Sequence, residues 1–181
     1  ERAIVSNIAG TTRDATDTIV ENAHGKFVFI DTAGLRRKSR VDDAIEKYSV
    51  IRARMAVERA TVCVIMIDAT EGFTEQDSKV AGIAHDLGKA CIIAVNKWDA
   101  VDKTDKSMKE YVEKIRAHFL FLSYAPVVFV SALKNQRVHL LFDEIKRVYE
   151  NYQRRVQTNV LNDIILDATI MNQAPIFNGD R

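Results

Sequence analysis

Four short runs of this chain are apolar at every position and rich in β-branched residues, and a polar residue follows each run at once. The runs are 27–30 before Asp31, 62–67 before Asp68, 90–95 before Asn96 and 127–130 before Ser131. Strands that are apolar throughout must be covered on both faces, which is typical of parallel strands in α/β proteins. The pattern therefore predicts four buried parallel strands.

Longer stretches with helical periodicity separate these runs, at about 44–59, 75–87, 106–119 and 138–155. Strands that alternate with helices of this length predict a doubly wound, mostly parallel α/β sheet. Residues 18–21 and 26–30 flank the turn-forming segment 22–25. We therefore predict a hairpin that adds one antiparallel edge strand.

The character of the chain changes after Arg155. Thr158 is a good N-cap for a new amphipathic helix that ends near Asn172. A helix with a short tail cannot bury its own apolar face. The sequence thus predicts one domain over 1–156 and the beginning of a second, truncated domain over 157–181.

Composition excludes several classes of protein. The 181 residues are 47% hydrophobic and 28% charged with a net charge of +1, so no global charge draws the chain to nucleic acid or membranes. The apolar runs are too short to span a bilayer, so we expect no membrane partner. Cys63 and Cys91 both lie in apolar runs, which is typical of reduced thiols in a cytoplasmic protein.

The segment Asp31-Thr32-Ala33-Gly34 directly follows a predicted strand. Ligands of open α/β sheets bind outside the carboxyl ends of the strands. A carboxylate at such a position can hold Mg²⁺ through its water shell. Glycine lets the backbone approach a phosphate closely. The segment therefore suggests a Mg²⁺-phosphate site, although an ordinary strand-to-loop turn explains it equally well when taken alone.

The segment Asn96-Lys97-Trp98-Asp99 follows another predicted strand. The two acceptor oxygens of an aspartate match the N1–H and 2-amino donors of guanine, a donor pair that adenine lacks. The asparagine can tie neighbouring loops together, the lysine stem can lie along the face of a base, and the tryptophan either shields the base or packs locally. The segment suggests a guanine site, although a solvated loop of mixed charges is the alternative when it is taken alone.

Two weaker segments complete the pattern. Thr12 lies in the polar loop 10–14, where its hydroxyl could bind Mg²⁺. The backbone of Ser131-Ala132-Leu133, after the last predicted strand, could contact a guanine carbonyl. The order and spacing of all four segments together favour a GTP-binding domain over an unrelated set of loops.

The same segments resemble the second GTPase domain of the EngA (Der) family of bacterial ribosome-assembly GTPases, which has a TrmE/Era-like P-loop GTPase fold. The matching stretches are 6–14, 31–35, 96–99 and 131–133. Residues 158–166 resemble the first helix of the family's KH-like RNA-binding domain, which directly follows only the second GTPase domain of these proteins.

The resemblance implies a cytoplasmic, bacterial switch that binds GTP and GDP, hydrolyses GTP and acts in assembly of the large ribosomal subunit. Its implied partners are this subunit and its rRNA, a preceding G domain and the KH-like domain of the same protein. Two alternatives remain: a TrmE-type GTPase in tRNA modification, which the KH-like helix disfavours, and a non-catalytic RNA-binding or assembly module.

The resemblance also implies roles for individual residues. Thr12 resembles the switch threonine that coordinates Mg²⁺, and Asp31 and Gly34 resemble the Mg²⁺-linked aspartate and the sensor of the γ-phosphate. Leu35 stands where Ras-like proteins carry a catalytic glutamine. A leucine cannot orient water through a hydrogen bond, and some related GTPases use K⁺ at this step.

The positions that match those of a K⁺ site are Ser6, Ile8 and Thr11. The resemblance further assigns Thr32, Ala33, Asn96, Lys97, Trp98, Asp99, Ser131, Ala132 and Leu133 to the GTP site.

The chain departs from the family in one respect, because G-x-x-x-x-G-K-[ST] is missing from it. The backbone N–H groups and the lysine of that loop would cradle the phosphates. We therefore expect a fragment that lacks the P-loop and the first strand of the sheet, and that is inactive by itself.

Overall fold

The computed structural model describes residues 4–7, 17–30, 51, 53–102 and 107–172, with only the backbone described at 4–7. The chain divides into two compact units, Glu1–Glu150 and Asn151–Arg181.

Three strands form an antiparallel sheet in the order β1-β2-β3, with β1 at Ile4–Asn7, β2 at Thr18–Asn22 and β3 at Gly25–Phe29. Gly25 closes the β2–β3 turn with φ +136°, a conformation that side chains disfavour. The predicted hairpin is thus confirmed, but within the described residues it belongs to a separate antiparallel sheet and not to the edge of the parallel one. Strand β1 was not predicted, and it forms by pairing with β2, with Val5 opposite Val20.

A second sheet is parallel, with the order β4-β5-β6. Its strands are β4 (Val62–Asp68), β5 (Ala90–Asn96) and β6 (Val127–Phe129). These confirm three of the four predicted parallel strands. The remaining run belongs to β3 in the antiparallel sheet, where Val28 is 55% exposed. A short apolar run cannot reveal whether one or both of its faces are covered.

The described residues also form helices. They are α1 (53–59), α2 (Glu75–Asp86), α3 (Ser107–His118), α4 (Val138–Gln153) and α5 (Thr158–Met171), with short 3₁₀ helices at Trp98–Ala100 and Leu120–Leu122. A capping box between Thr74 and Asp77 begins α2. Thr158, predicted as an N-cap, is instead the first residue of α5, and Gln157 precedes it without a side-chain cap.

The parallel sheet is buried on both faces, as the apolar runs predicted. Ile93 and Val95 of β5 lie in one core cluster with residues of α2 and α3. Ile92 and Ala94 lie in a second cluster with Leu141 of α4. Alternate side chains of one strand therefore enter two separate cores, and the carboxyl ends of the strands remain available for a site.

Across the described residues, none of the helices has the length and apolar character needed to cross a bilayer.

Candidate functional site

The carboxyl ends of the parallel strands bring the predicted polar residues to one edge of the sheet. Asp68 at the end of β4 lies in register with Asn96 at the end of β5. The backbone of Val130, just beyond β6, accepts a hydrogen bond from the Trp98 N–H at 3.2 Å and donates one to Val95 at 2.8 Å. The loops after β5 and β6 are thus held against each other.

Asn96 joins three loops at this edge. Its side-chain Oδ1 accepts a hydrogen bond from the Ala132 N–H at 3.0 Å. Its backbone oxygen accepts another from the Ala69 N–H at 2.9 Å. The side chain therefore braces the loop after β6, the tying role that the sequence suggested for it.

Ser131 begins a tight turn after β6 and is almost completely buried. Its backbone N–H and C=O both pair with Gln136 at 3.0 Å. Its Oγ accepts a hydrogen bond from the Lys134 N–H at 3.1 Å. Leu133, within the turn, is 91% exposed. The turn is thus rigid at its base and presents residues 132–134 outward.

The Asp99 side chain lies over this turn and is 12% exposed. A hydrogen bond from the Ser131 hydroxyl, and then the Lys134 ammonium 3.3 Å from Oδ2, hold the pKa of Asp99 below its ordinary value despite partial desolvation. Asp99 is therefore a carboxylate at neutral pH, and it can only accept hydrogen bonds.

Lys97 has a left-handed backbone conformation, φ 59° and ψ 28°, that is uncommon outside glycine. Its Nζ lies 2.6 Å from Oδ2 of Asp68. In the sequence Asp68 ends a predicted buried strand, but that position alone assigns it no role. The available signal was its position, because it ends a buried strand just as Asn96 does.

The Trp98 side chain belongs to the hydrophobic core. It is 5% exposed, and its ring centroid lies 4.5 Å from that of Phe129 and 5.4 Å from that of Tyr111. Of the two interpretations of this residue, the structure agrees with local packing: the indole supports the loop from beneath instead of shielding a base.

The predicted phosphate and metal residues fall largely outside the described part of the chain. These residues are Ile8, Thr11, Thr12, Asp31, Thr32, Ala33, Gly34 and Leu35, and for Ser6 only the backbone is described, within β1. Within the described ranges, no group of three or more His, Cys, Asp or Glu side chains is arranged to hold a metal ion.

The pairing of Asp68 predicts a pH dependence of stability. Burial alone would raise the pKa of Asp68, but hydrogen bonds from Lys97 and Thr70 outweigh it and lower the pKa from 3.8 to about 2. The ionised Asp68 side chain therefore stabilises the folded chain when the pH is above the ordinary pKa of aspartate. This free energy is lost as the pH falls through the lower pKa that Asp68 has in the folded state. It amounts to about 2 kcal/mol.

The measurement is urea unfolding at pH 6 and at several values down to pH 2. As the pH falls from 6 to 2, the free energy of unfolding of the wild-type chain should decrease by about 2 kcal/mol more than that of Asp68→Asn, whose amide cannot titrate. Parallel pH profiles of the two proteins would contradict the assignment.

Curated relatives match the chain along its whole length. It is 55% identical to GTPase Der of Acetivibrio thermocellus over 181 residues, which is all of this chain and 41% of the relative. It is 56% identical to GTPase Der of Bacillus mycoides, with 42% of that protein covered. The chain thus spans about two fifths of the length of these relatives. The resemblance to the EngA (Der) family is confirmed.

Solved structures share the fold. Era from Aquifex aeolicus bound to GDP and AlF4⁻ is similar over 84% of this chain and 50% of its own, with a TM-score of 0.59 and 26% identity. Era in complex with MgGDPNP and a segment of 16S ribosomal RNA matches over 99% of this chain and 52% of its own, with a TM-score of 0.59 and 25% identity.

The translation elongation factor SelB from Methanococcus maripaludis shows the same fold at 16% identity and a TM-score of 0.63, over 81% of this chain and 30% of its own. The family model described as 50S ribosome-binding GTPase matches residues 1–97, more than half of the chain. The loops and the fold of the chain agree with this match, and the chain belongs to the family of 50S ribosome-binding GTPases.

Proposed function

We propose that the protein containing this chain is a GTP-binding and GTP-hydrolysing switch that acts in assembly of the large ribosomal subunit. The observation that carries the proposal is the position of the Asp99 carboxylate. It is held by the Ser131 hydroxyl beside the Asn96–Ala132 brace, at the carboxyl ends of β5 and β6. The family membership and the relatives named GTPase Der support it.

The base end of this site is suited to guanine. The two oxygens of the Asp99 carboxylate can accept the N1–H and 2-amino hydrogens of guanine, whereas adenine offers no such pair. The Ser131 hydroxyl and the Lys134 ammonium orient the carboxylate before the base arrives. Lys97 lies two positions before Asp99, and its apolar stem can cover one face of the base. We assign Asn96, Ala132 and Leu133 to the surrounding wall, and the buried Trp98 indole supports this wall from the core.

The phosphate end of the proposed site rests on residues outside the described ranges. We propose that Thr12 and Asp31 hold Mg²⁺, which supplies positive charge to the phosphates. Gly34, with Thr32 and Ala33, would present backbone to the γ-phosphate. Leu35 offers no polar group, so attack by water must be assisted elsewhere.

We further propose the division of the chain into a GTPase domain at 1–156 and the beginning of a KH-like RNA-binding domain at 157–181, within a protein that also has a preceding G domain. Helix α5 supports the second part, because its residues are all exposed and several are large and apolar. The related Era structure contains a 16S ribosomal RNA segment. We propose rRNA of the large subunit as the partner here, and the cytoplasm as the site of action.

The function is tested in the full-length protein by calorimetric binding of GTP, GDP and ATP, by phosphate release, and by co-sedimentation with large ribosomal subunits. We expect binding of GTP and GDP but not ATP, hydrolysis of GTP, and subunit binding that depends on the nucleotide. Binding without hydrolysis would favour a non-catalytic assembly module. Equal affinity for ATP and GTP would contradict the base site.

Hydrolysis is expected to depend on K⁺. Because Leu35 cannot stabilise developing charge, a cation held at Ser6, Ile8 and Thr11 is proposed to do so, and its loss should slow the reaction at least tenfold. The measurement compares phosphate release in KCl and NaCl at equal ionic strength, with GTP binding as the control that remains constant. Equal rates would remove the K⁺ assignment and leave GTP binding intact.

A further inference from the structure

We propose that Asp68 is a positioning residue for guanine binding, which acts by holding the ammonium group of Lys97 at the end of β4. The inference rests on the proposed function and deepens it. It adds to the base site a residue that lies on another strand and outside the sequence segments that suggested the site.

The carboxylate of Asp68 is fixed on both oxygens. Oδ1 accepts hydrogen bonds from the backbone N–H of Thr70 at 3.1 Å and from its hydroxyl at 2.7 Å. Oδ2 faces the Lys97 ammonium at 2.6 Å, the short distance expected of a charge-assisted hydrogen bond. The Asp68 side chain is 7% exposed, whereas the Lys97 side chain is 51% exposed.

This asymmetry in exposure indicates which partner is the anchor. Asp68 is held in place because it ends a strand that is paired along its full length with β5, in register with Asn96. Lys97 is the long, half-exposed side chain, and it would otherwise sample many rotamers. The pair therefore fixes the ammonium end of Lys97 on the sheet.

Fixing the ammonium determines what Lys97 can offer a ligand. Its charge is already matched by Asp68, so the group left for the ligand is the apolar stem, which suits the face of a purine. The 3₁₀ helix Trp98–Ala100 begins directly after Lys97 and carries Asp99. Ordering Lys97 before the base arrives removes a cost of binding, because immobilising such a side chain opposes association.

The test uses Asp68→Asn in the full-length protein, which keeps the shape of the side chain and removes the charge. We expect GTP, GDP and guanosine to bind about tenfold more weakly, each by the same factor, because the effect lies at the base end. Asp68→Glu should restore part of the affinity. In a Lys97→Met background, Asp68→Asn should have no further effect.

The matched control is Asp143→Asn. Asp143 also pairs with a basic side chain, His24, at 2.8 Å, but its own side chain is 56% exposed and lies on α4. The Asp143→Asn variant should bind GTP, GDP and guanosine with the affinities of the wild-type protein. Thr70→Val is a second variant that removes one hydrogen bond to the Asp68 carboxylate and keeps its charge. Thr70→Val should also weaken guanine binding, but by a smaller factor than Asp68→Asn. It provides the test if Asp68→Asn does not fold.

Three results would overturn the inference and leave the proposed function intact. The first is unchanged affinity for guanine nucleotides in both Asp68→Asn and Thr70→Val. The second is an Asp68→Asn variant that loses affinity for GTP and GDP but not for guanosine. The third is a loss of affinity from Asp68→Asn that persists fully in the Lys97→Met background. The last result would show a structural role that does not pass through Lys97. A wild-type protein that binds no guanine nucleotide would overturn both the inference and the proposed function.

Discussion

Replacing Asp99 with asparagine in the full-length protein is expected to weaken GTP binding by about 10- to 150-fold and to make xanthosine triphosphate the preferred ligand. The substitution removes one acceptor and places an amide donor against the 2-amino group of guanine. The loss of a charge-assisted hydrogen bond costs about 1.5–3 kcal/mol. Xanthine carries a carbonyl where guanine carries this amino group, so it can accept the new donor. Calorimetric titration with both nucleotides measures the switch.

The control for this prediction is Asp102→Asn. It removes the same charge from the same loop at an exposed position, and its affinity for GTP should stay within about twofold of the wild-type value. If Asp99→Asn bound GTP as tightly as the wild-type protein does, Asp99 would not be the guanine acceptor. The Ser131 hydroxyl and Lys134 would then serve a purely structural carboxylate.

The second large effect concerns stability, because Leu122→Ala is expected to destabilise this domain by about 2–5 kcal/mol. Leu122 is completely buried in the core cluster that covers one face of the parallel sheet. Truncating it removes buried methyl groups and leaves a cavity that the surrounding residues fill only in part. Since small domains are stable by only about 5–15 kcal/mol, the loss is a large part of the total. Urea unfolding followed by circular dichroism measures it.

The same 3₁₀ helix provides a matched control. Leu120 is 75% exposed, and Leu120→Ala should change the free energy of unfolding by less than about 0.5 kcal/mol. The two substitutions remove the same atoms two positions apart, so their difference isolates the effect of burial. Equal effects would show that the core does not include Leu122.

Much of the fold was readable from the order of the residues. Continuous apolar runs predicted β4, β5 and β6, and the predicted helices at 75–87, 106–119 and 138–155 match α2, α3 and α4 within two residues at each end. Both signals are local, because burial on two faces and the helical period each determine the pattern of apolar residues within a short segment. The edge of the sheet that carries Asn96 and Ser131 followed from the polar residues that end the strands.

Other features depend on contacts between segments that are far apart in the chain. The apolar run at 27–30 looked like the parallel strands, but β3 pairs with β2 in an antiparallel sheet. Strand β1 exists because β2 offers it a free edge. An apolar run of this length carries no information about which edge it will meet, and the partner decides the direction of pairing.

The sequence by itself determined the α/β class and the place of the segment 96–99 directly after a buried strand, because these depend on residue types at short spacing. Only the tertiary structure decided that the Trp98 indole enters the core, that the Ser131 hydroxyl holds Asp99, and that Asp68 anchors Lys97. Each of these contacts joins side chains from different strand ends. A local pattern brings polar residues to the same edge of a sheet, but the packing of the strands against one another selects which side chains meet there.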